Sequence, residues 1–262
     1  MKIRHTVLLL TLCYISWGAL AQALPTKLTI FTEHFPPYNF QQDGQIVGIN
    51  ADIVKKLCEL SNIACHFEIS PWTRAFENTL DTPHSALVST SRNNKRETMF
   101  KWVGKLVNSK TYLYRLTERK DIAPRTLKQA SNFTVGIQRN DIYQSALTAN
   151  GFEEGNNLIE FSYKNDDVDL FMAGKIDMIL GSELTIPYQL EDSGYSADRV
   201  YQVIEVPISI LGGNYLALNK QLPDELVDKL QQQLDVLRST DEISTIIKKY
   251  KNLKSVSRAQ SK

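Results

Sequence analysis

Residues 27–60, which read KLTIFTEHFPPYNFQQDGQIVGINADIVKKLCEL, decide the fold. The opening KLTIFTE is an apolar and β-branched segment typical of a strand. After the turn at DG, the spacing of Ile53, Val54, Leu57 and Leu60 predicts one apolar face of a helix. A strand followed by a helix is the first half of a βαβ unit, so the stretch predicts an α/β fold with parallel strands.

The same alternation continues along the chain. HFEIS and SALVS predict strands on either side of PWTRAFENTL, a short helix with Pro71 in its first turn. A second unit follows TYLYRL, with strands predicted at NFTVGIQ, LIEFSY and IDMILGS and helices at DIYQSALTANG, NDDVDLFMAG and ELTIPYQLEDSG. Two C-terminal helices close the chain, the first with an apolar face of Leu226, Leu230, Leu234 and Leu237. The sequence therefore predicts two successive α/β units.

Composition and charge exclude several classes of protein. The 262 residues are 42% hydrophobic and 23% charged, which is ordinary for a globular protein. A formal net charge of +1 provides no basic field for nucleic acid. The histidines at 5, 34, 66 and 84 lack metal-ligand spacing, and no glycine-rich phosphate loop or nucleophile elbow is present, so we expect no metal and no cofactor.

The N-terminus has the three parts of an export signal. A basic MKIRH precedes the apolar TVLLLTLCYISWGAL, and ALAQA supplies small residues for cleavage after Ala21 or Ala23. We therefore expect residues 1–21 to be a cleavable signal peptide and the mature protein to lie in the periplasm. The alternative is an uncleaved membrane anchor.

Two cysteines remain in the expected mature chain. Cys58 falls near the end of a predicted helix and Cys65 near the start of the next strand, so the loop between them is short. Export permits a disulfide, and we predict one here; the alternative is a pair of buried thiols.

Candidate binding residues cluster directly after predicted strands. Ligands of open parallel sheets bind at the carboxyl ends of the strands, beside helix N-termini. Phe35 lies in a loop stiffened by two prolines and is either a ligand contact or part of the core. Trp72 and Arg74 open a helix, where the cation opposes the helix dipole and needs an anionic partner from the ligand or the protein.

The segments together resemble the bacterial extracytoplasmic solute-binding proteins of family 3, the polar amino acid binding type. The resemblance covers about residues 24–251 and is carried by FPPYNF, DGQIVGINADIV, PWTRAF, STSRNNKRETMFKWVG, VGIQ, GKIDMILGS and ELVDKLQQQLDVLRSTDEISTIIKKY. It implies a two-lobed periplasmic binding protein type II fold with two crossover hinge strands. Lobe 1 would be residues 24–107 with 212–262, and lobe 2 residues 108–211, with crossings at LVNSKT and SILGGN.

The resemblance also implies a binding site. Ser91 and Arg96 occupy the family's pattern of a hydroxyl residue followed five positions later by an arginine, which grips the ligand carboxylate, and Ser89 adds a contact. Arginine suits this role because its planar fork matches the two carboxylate oxygens. The remaining positions implied are the aromatic pair Phe35 and Trp72 and the second-lobe residues Gln138, Asn140 and Asp141.

One departure from the family pattern affects the ligand. Family members that bind α-amino acids usually carry an aspartate for the ligand ammonium where this chain has Ser182. Asp141, Glu33 or Glu183 could compensate, or the ligand lacks an α-ammonium group. The sequence therefore favours a small polar, carboxylate-bearing solute, whether an amino acid or a related compound.

Three functions follow as hypotheses. The first is a monomeric periplasmic protein that delivers a small-molecule solute to an inner-membrane ABC permease or to a sensor, without enzymatic activity. The second is an exported enzyme on the same fold, similar to cyclohexadienyl dehydratases, in which Glu33 or Glu183 acts as acid or base. The third is an interaction module cut from a receptor or from a murein-cleaving enzyme.

Overall fold

The computed structural model describes residues 24–138, 142–161, 166–207 and 213–260, with the backbone alone for Gln138 and residues 252–260. The predicted signal peptide lies outside the described residues. The described residues form twelve strands: β1 (Lys27–Thr32), β2 (Phe40–Gln42), β3 (Gln45–Val47), β4 (Ala64–Ile69), β5 (Ser85–Ser91), β6 (Phe100–Val107), β7 (Thr111–Leu116), β8 (Val135–Gln138), β9 (Leu158–Phe161), β10 (Met178–Ser182), β11 (Val200–Glu205) and β12 (Asn214–Asn219).

The eight α-helices of the described residues are α1 (Ile49–Leu60), α2 (Trp72–Asp81), α3 (Leu127–Ala130), α4 (Gln144–Thr148), α5 (Asp166–Met172), α6 (Ile186–Asp192), α7 (Asp224–Ser239) and α8 (Glu242–Gln260). None of them is long and apolar enough to cross a lipid bilayer.

Ten of the described strands form two five-stranded sheets, in the orders β4-β1-β5-β12-β6 and β11-β7-β10-β8-β9, and β2 pairs with β3 in a separate two-stranded sheet. Strands β4, β1 and β5 are parallel in the first sheet, as are β10, β8 and β9 in the second. The prediction of parallel strands is confirmed for these six. The structure adds β12 and β7, which run antiparallel to both of their neighbours. These returning strands come without an intervening crossover helix, which is why helix–strand alternation did not reveal them.

Two connections join the sheets. The chain leaves the first sheet after β6, enters the second at β7, and returns between β11 and β12. This arrangement confirms the predicted two-lobed α/β class. The lobe boundaries after residues 107 and 211 stay a proposal, and they fall within these two connections.

The first lobe is held by an apolar core and a disulfide. Helices α1 and α7 bury one face each against the sheet, and the four predicted α7 leucines at 226, 230, 234 and 237 are all buried. The Cys58–Cys65 disulfide is present and joins the last turn of α1 to β4, as predicted. A separate core that includes Leu113, Val135 and Met178 fills the second lobe.

Candidate functional site

A cavity of about 360 Å³ lies between the two sheets. The residues that line it come from both lobes and from both connections: Phe35, Tyr38, Ser91, Lys105, Val107, Asn108, Ser109, Lys110, Thr111, Ile137, Ile142, Tyr143, Phe161, Asp167, Leu180, Gly181, Ser182, Thr185, Gln189, Glu205, Val206, Pro207, Gly213 and Asn214. Its volume suits a small molecule.

Phe35 and Tyr38 form the aromatic wall on the first-lobe side. The proline-rich loop after β1 places their ring centroids 5.0 Å apart. The Tyr38 hydroxyl lies 2.8 Å from Ser109 Oγ and 3.3 Å from Ser182 Oγ, so a buried first-lobe ring reaches a connection and the second lobe. Burial raises the pKa of Tyr38, and its hydroxyl therefore stays protonated at neutral pH. The structure thus places Phe35, a predicted contact, on the cavity wall.

Ser182 also lines the cavity, at the end of β10. Its hydroxyl accepts hydrogen bonds from the backbone N–H groups of Leu184, at 3.3 Å, and Thr185, at 3.1 Å. These contacts order the turn that leads into α6. Ser182 therefore contributes to the cavity a neutral hydroxyl group that is already bonded to the protein.

Ser89 holds the first lobe together from inside. It is buried with φ +61°, donates a hydrogen bond to Asn39 Oδ1 and accepts one from Asn50 Nδ2 at 2.8 Å. The hydroxyl thereby connects β5 to the loop after β1 and to α1. Ser89 is not among the described residues of the cavity wall, and its predicted ligand contact stays a prediction.

Arg96 lies just behind the wall. Its Nη1 donates to the carbonyl oxygen of Ser91 at 3.0 Å, and Ser91 lines the cavity. The guanidinium lies 5.2 Å from the ring centroid of Trp72 and 5.6 Å from that of Phe76. Burial lowers the pKa of Arg96 from its ordinary value, and within the part of the chain that the structure describes no carboxylate forms an ion pair with it.

Arg92 is an arginine of the same loop as Arg96, but a carboxylate of the protein neutralises its charge. Its guanidinium donates two hydrogen bonds to the Glu97 carboxylate, one of them 2.8 Å long, and stacks on Trp102 and Tyr215. Glu97 raises the pKa of Arg92. Lys95, between the two arginines in the basic loop, is exposed. The three cations of this loop therefore differ in how fully their charges are compensated.

The other predicted residues lie apart from the cavity wall. Trp72 packs at the first turn of α2 against Phe76, and Arg74 is exposed in the same turn. Glu33, whose carbonyl accepts a hydrogen bond from Asn39 at 2.7 Å, and Glu183 do not line the cavity. Glu183 instead borders a shallow groove on the second lobe beside Tyr114 and Tyr201.

The second-lobe loop is only partly described. Gln138 ends β8, and the predicted contacts Asn140 and Asp141 lie outside the described residues. Across the described ranges no group of three or more His, Cys, Asp or Glu side chains could hold a metal ion.

The prediction from sequence missed Lys105, Tyr143 and Asp167, all of which line the cavity. Lys105 lies in KWVGKLVN, directly before a predicted crossing, and that position was the available signal. Tyr143 and Asp167 follow β8 and β9, where residues after strand ends were the right place to search.

Comparison with known proteins identifies similar chains over nearly the whole length. Residues 28–253 match the model of the bacterial extracellular solute-binding proteins, family 3. An arginine-binding periplasmic protein of Mannheimia haemolytica is 23% identical over 245 residues, which is 92% of this chain and 97% of that protein. A histidine-binding periplasmic protein of Salmonella typhimurium is 23% identical over 67% of this chain and 68% of its own length.

Solved structures share the fold. A histidine kinase sensor domain with similarity to periplasmic binding proteins superposes with a TM-score of 0.70 at 18% identity, covering 86% of this chain and 96% of its own. An ancestral arginine-binding protein bound to arginine gives a TM-score of 0.67 at 15% identity, with coverage of 87% and 99%.

Proposed function

This chain belongs to the bacterial extracellular solute-binding proteins, family 3, and from that premise we propose that it captures a small polar solute bearing a carboxylate between its two lobes. The solute is an amino acid or a related compound. The bound protein delivers it to an inner-membrane ABC permease or to a sensor. The arginine- and histidine-binding relatives support a solute of this size and polarity.

The proposal rests mainly on Arg96, a half-buried cation with no carboxylate partner among the described residues. Its guanidinium is half-buried, rests on two aromatic rings and is one hydrogen bond away from Ser91 on the cavity wall. A buried cation costs free energy unless an anion neutralises it. Arg92, four residues earlier, has its anion in Glu97, whereas no described carboxylate pairs with Arg96. A solute carboxylate provides that charge.

Closure around the solute supplies the signal for delivery. Residues from both lobes line the cavity, so a bound solute contacts both at once. A ligand shifts a protein toward the conformation that it binds more tightly, and a solute held by both lobes stabilises the closed one. The proposed role is therefore capture and presentation without chemical conversion. The carboxylates expected for a dehydratase-like reaction, Glu33 and Glu183, do not line the cavity, which favours this role over the enzyme alternative.

A thermal-shift screen with amino acids, carboxylates and amines tests the proposal, because a ligand that binds only the folded protein raises its melting temperature. We expect carboxylate-bearing probes to raise it. Arg96→Met should weaken binding of the best probe on the order of thirtyfold or more, since truncating one side of a desolvated charge pair costs about 2 kcal/mol or more.

Lys95→Met is the matched control. It removes a positive charge from the same loop, but Lys95 is exposed and does not line the cavity. The control should bind as the wild type does. If Arg96→Met also keeps the affinity of the wild type, Arg96 is not the carboxylate site.

A further inference from the structure

Building on the proposed carboxylate-binding function, we infer that Lys105 is a second cation of the site and that the solute is a diacid, with a second acidic group that Lys105 binds. Lys105 lies on β6, in the strand that leads into the first connection, and lines the cavity. Three features of Lys105 support this inference: the backbone geometry that directs its side chain, the space that its side chain occupies, and its positive charge.

A β-bulge turns Lys105 out of the sheet. In the ladder between β6 and β12, Gly104 pairs with Tyr215 and Val107 pairs with Asn214. These two partners are adjacent on β12, so Lys105 and Leu106 are two extra residues on β6 without a register partner. Bulges re-aim side chains in this way. Leu106 is buried in the first-lobe core, while Lys105 is directed to the cavity.

Helix α7 fixes the backbone of the bulge from the opposite side. The Gly104 N–H donates to Gln231 Oε1 at 3.1 Å, and the Lys105 carbonyl accepts a hydrogen bond from Arg238 Nη2. Two backbone polar groups at the bulge are thereby paired with side chains of α7, which holds the bulge against this helix.

Gly213, on the second connection, leaves room for the lysine stem. A Cβ added there would lie 3.0 Å from Lys105 Cδ and 3.3 Å from Cε. The residue also has φ +114°, which favours glycine. The two connections therefore meet at this point, with the Lys105 stem packed across Gly213.

The charge of Lys105 is not compensated by the described protein. Of the other charged residues on the cavity wall, Lys110 and Glu205 form a pair at 2.8 Å, and Asp167 belongs to α5 of the second lobe. In the portion of the chain with described side chains, Lys105 forms no ion pair. Its ammonium therefore adds a positive charge, without a described ion-pair partner, at the end of the cavity where the connections meet.

Arg96 approaches the same end. Asn214 is the register partner of both Ser91 and Val107, and Arg96 donates its hydrogen bond to the Ser91 carbonyl. A cation of the basic loop, Arg96, and a cation of β6, Lys105, thus approach one end of the cavity. A neutral or basic distal group on the solute would leave one of them without an anion, whereas a solute with two acidic groups provides an anion for each.

Titration calorimetry of the purified protein with isosteric probes tests this inference. The probes are glutamate, glutamine and glutarate, with arginine as the basic counterpart. We expect the wild type to bind glutamate or glutarate at least about tenfold more tightly than glutamine, because Lys105 forms a hydrogen bond between opposite charges only with a second acidic group.

Lys105→Met keeps the stem against Gly213 and removes the charge. It should abolish the preference for the diacid by weakening the diacids alone, and Lys105→Arg should retain most of it. Lys95→Met is again the charge control, and a melting curve of each variant verifies folding.

Distinct outcomes would overturn the two proposals. If the wild type binds glutamine or arginine as tightly as the diacids, with dependence on Arg96, the second acidic group is wrong and carboxylate capture stands. Equal weakening of glutamine and glutamate by Lys105→Met would mean that Lys105 shares the single carboxylate, which also overturns the inference. If only probes without any carboxylate bind, both proposals fail.

Discussion

At the scale of single residues, the groups that a side chain contacts determine its role more than its residue type does. Arg92 and Arg96 lie four positions apart in one loop, yet the first is bonded to Glu97, whereas the described contacts of the Arg96 guanidinium are a backbone carbonyl and two aromatic rings. Two serines of the same segment, Ser89 and Ser91, also differ in their surroundings. Ser91 lines the cavity, whereas Ser89, two residues earlier, is buried between two asparagines.

This difference makes Ser89 a test of structural role against ligand contact. Ser89→Ala removes the hydroxyl that bonds Asn39 and Asn50 and leaves two buried polar groups unpaired, so the free energy of unfolding should fall by about 1–3 kcal/mol. Chemical denaturation of the ligand-free protein measures it.

Ser89→Gly is the matched variant, because Ser89 has φ +61° and glycine adopts this region without steric cost. It should be less destabilised than Ser89→Ala, by about 1 kcal/mol. Unchanged stability in Ser89→Ala would contradict the structural role and leave the ligand contact as the reason for a serine here.

The basic loop also shows how far sequence could predict the site. The position of Arg96 after a strand, and the resemblance of its spacing to a carboxylate clamp, were available from nearby residues. The pairing of Ser91 with Asn214 was not, because strand register between distant segments depends on the whole sheet. Lys105 was missed for the same reason, since its direction follows from a bulge opposite β12.

At the scale of elements, helix and strand periodicity predicted most of the parallel strands and their helices. It did not predict the antiparallel return of β12 or the β2–β3 hairpin, whose three-residue strands are too short to show a pattern. The disulfide was predictable because both cysteines flank one short helix–strand connection.

That disulfide should stabilise the first lobe mainly by restricting the unfolded chain. Cys58 and Cys65 are separated by seven positions, and a closed loop of this size corresponds to about 2–3 kcal/mol in the chain-entropy model. A Cys58→Ala, Cys65→Ala double variant should lose this amount of unfolding free energy in denaturant titration.

Neither cysteine lines the cavity, so solute affinity of the folded double variant should match that of the wild type. The wild type treated with a thiol reductant provides the second comparison and should be destabilised similarly. Equal stability with and without the bond would show that the unfolded chain is already restricted in this segment.

At the scale of the whole molecule, the lobes touch in places other than the solute cavity. Tyr188 on α6 donates a hydrogen bond to the Tyr250 carbonyl at 2.9 Å, and its ring lies 6.2 Å from that of Phe40. Leu184, from the second lobe, packs into the core of the first. Together with the bond between Tyr38 and Ser182, these contacts favour the arrangement in which the lobes meet, without requiring a solute.

Removing both hydroxyls should therefore shift the ligand-free protein toward separated lobes. Each hydrogen bond contributes about 1 kcal/mol net, so Tyr38→Phe with Tyr188→Phe should change the equilibrium between the two arrangements by about thirtyfold. Small-angle X-ray scattering should show a larger radius of gyration without solute and a return to the wild-type value at saturating solute, because the solute binds both lobes. The apparent affinity for the solute should fall by the same factor as the fraction of molecules with the lobes together.

Tyr201→Phe, on an exposed tyrosine of the second lobe, controls for loss of a hydroxyl group and should leave scattering and affinity unchanged. A double variant as compact as the wild type would place the energy of closure in the apolar contacts of Leu184 and Phe40, and Leu184→Ala would then be the variant that opens the lobes.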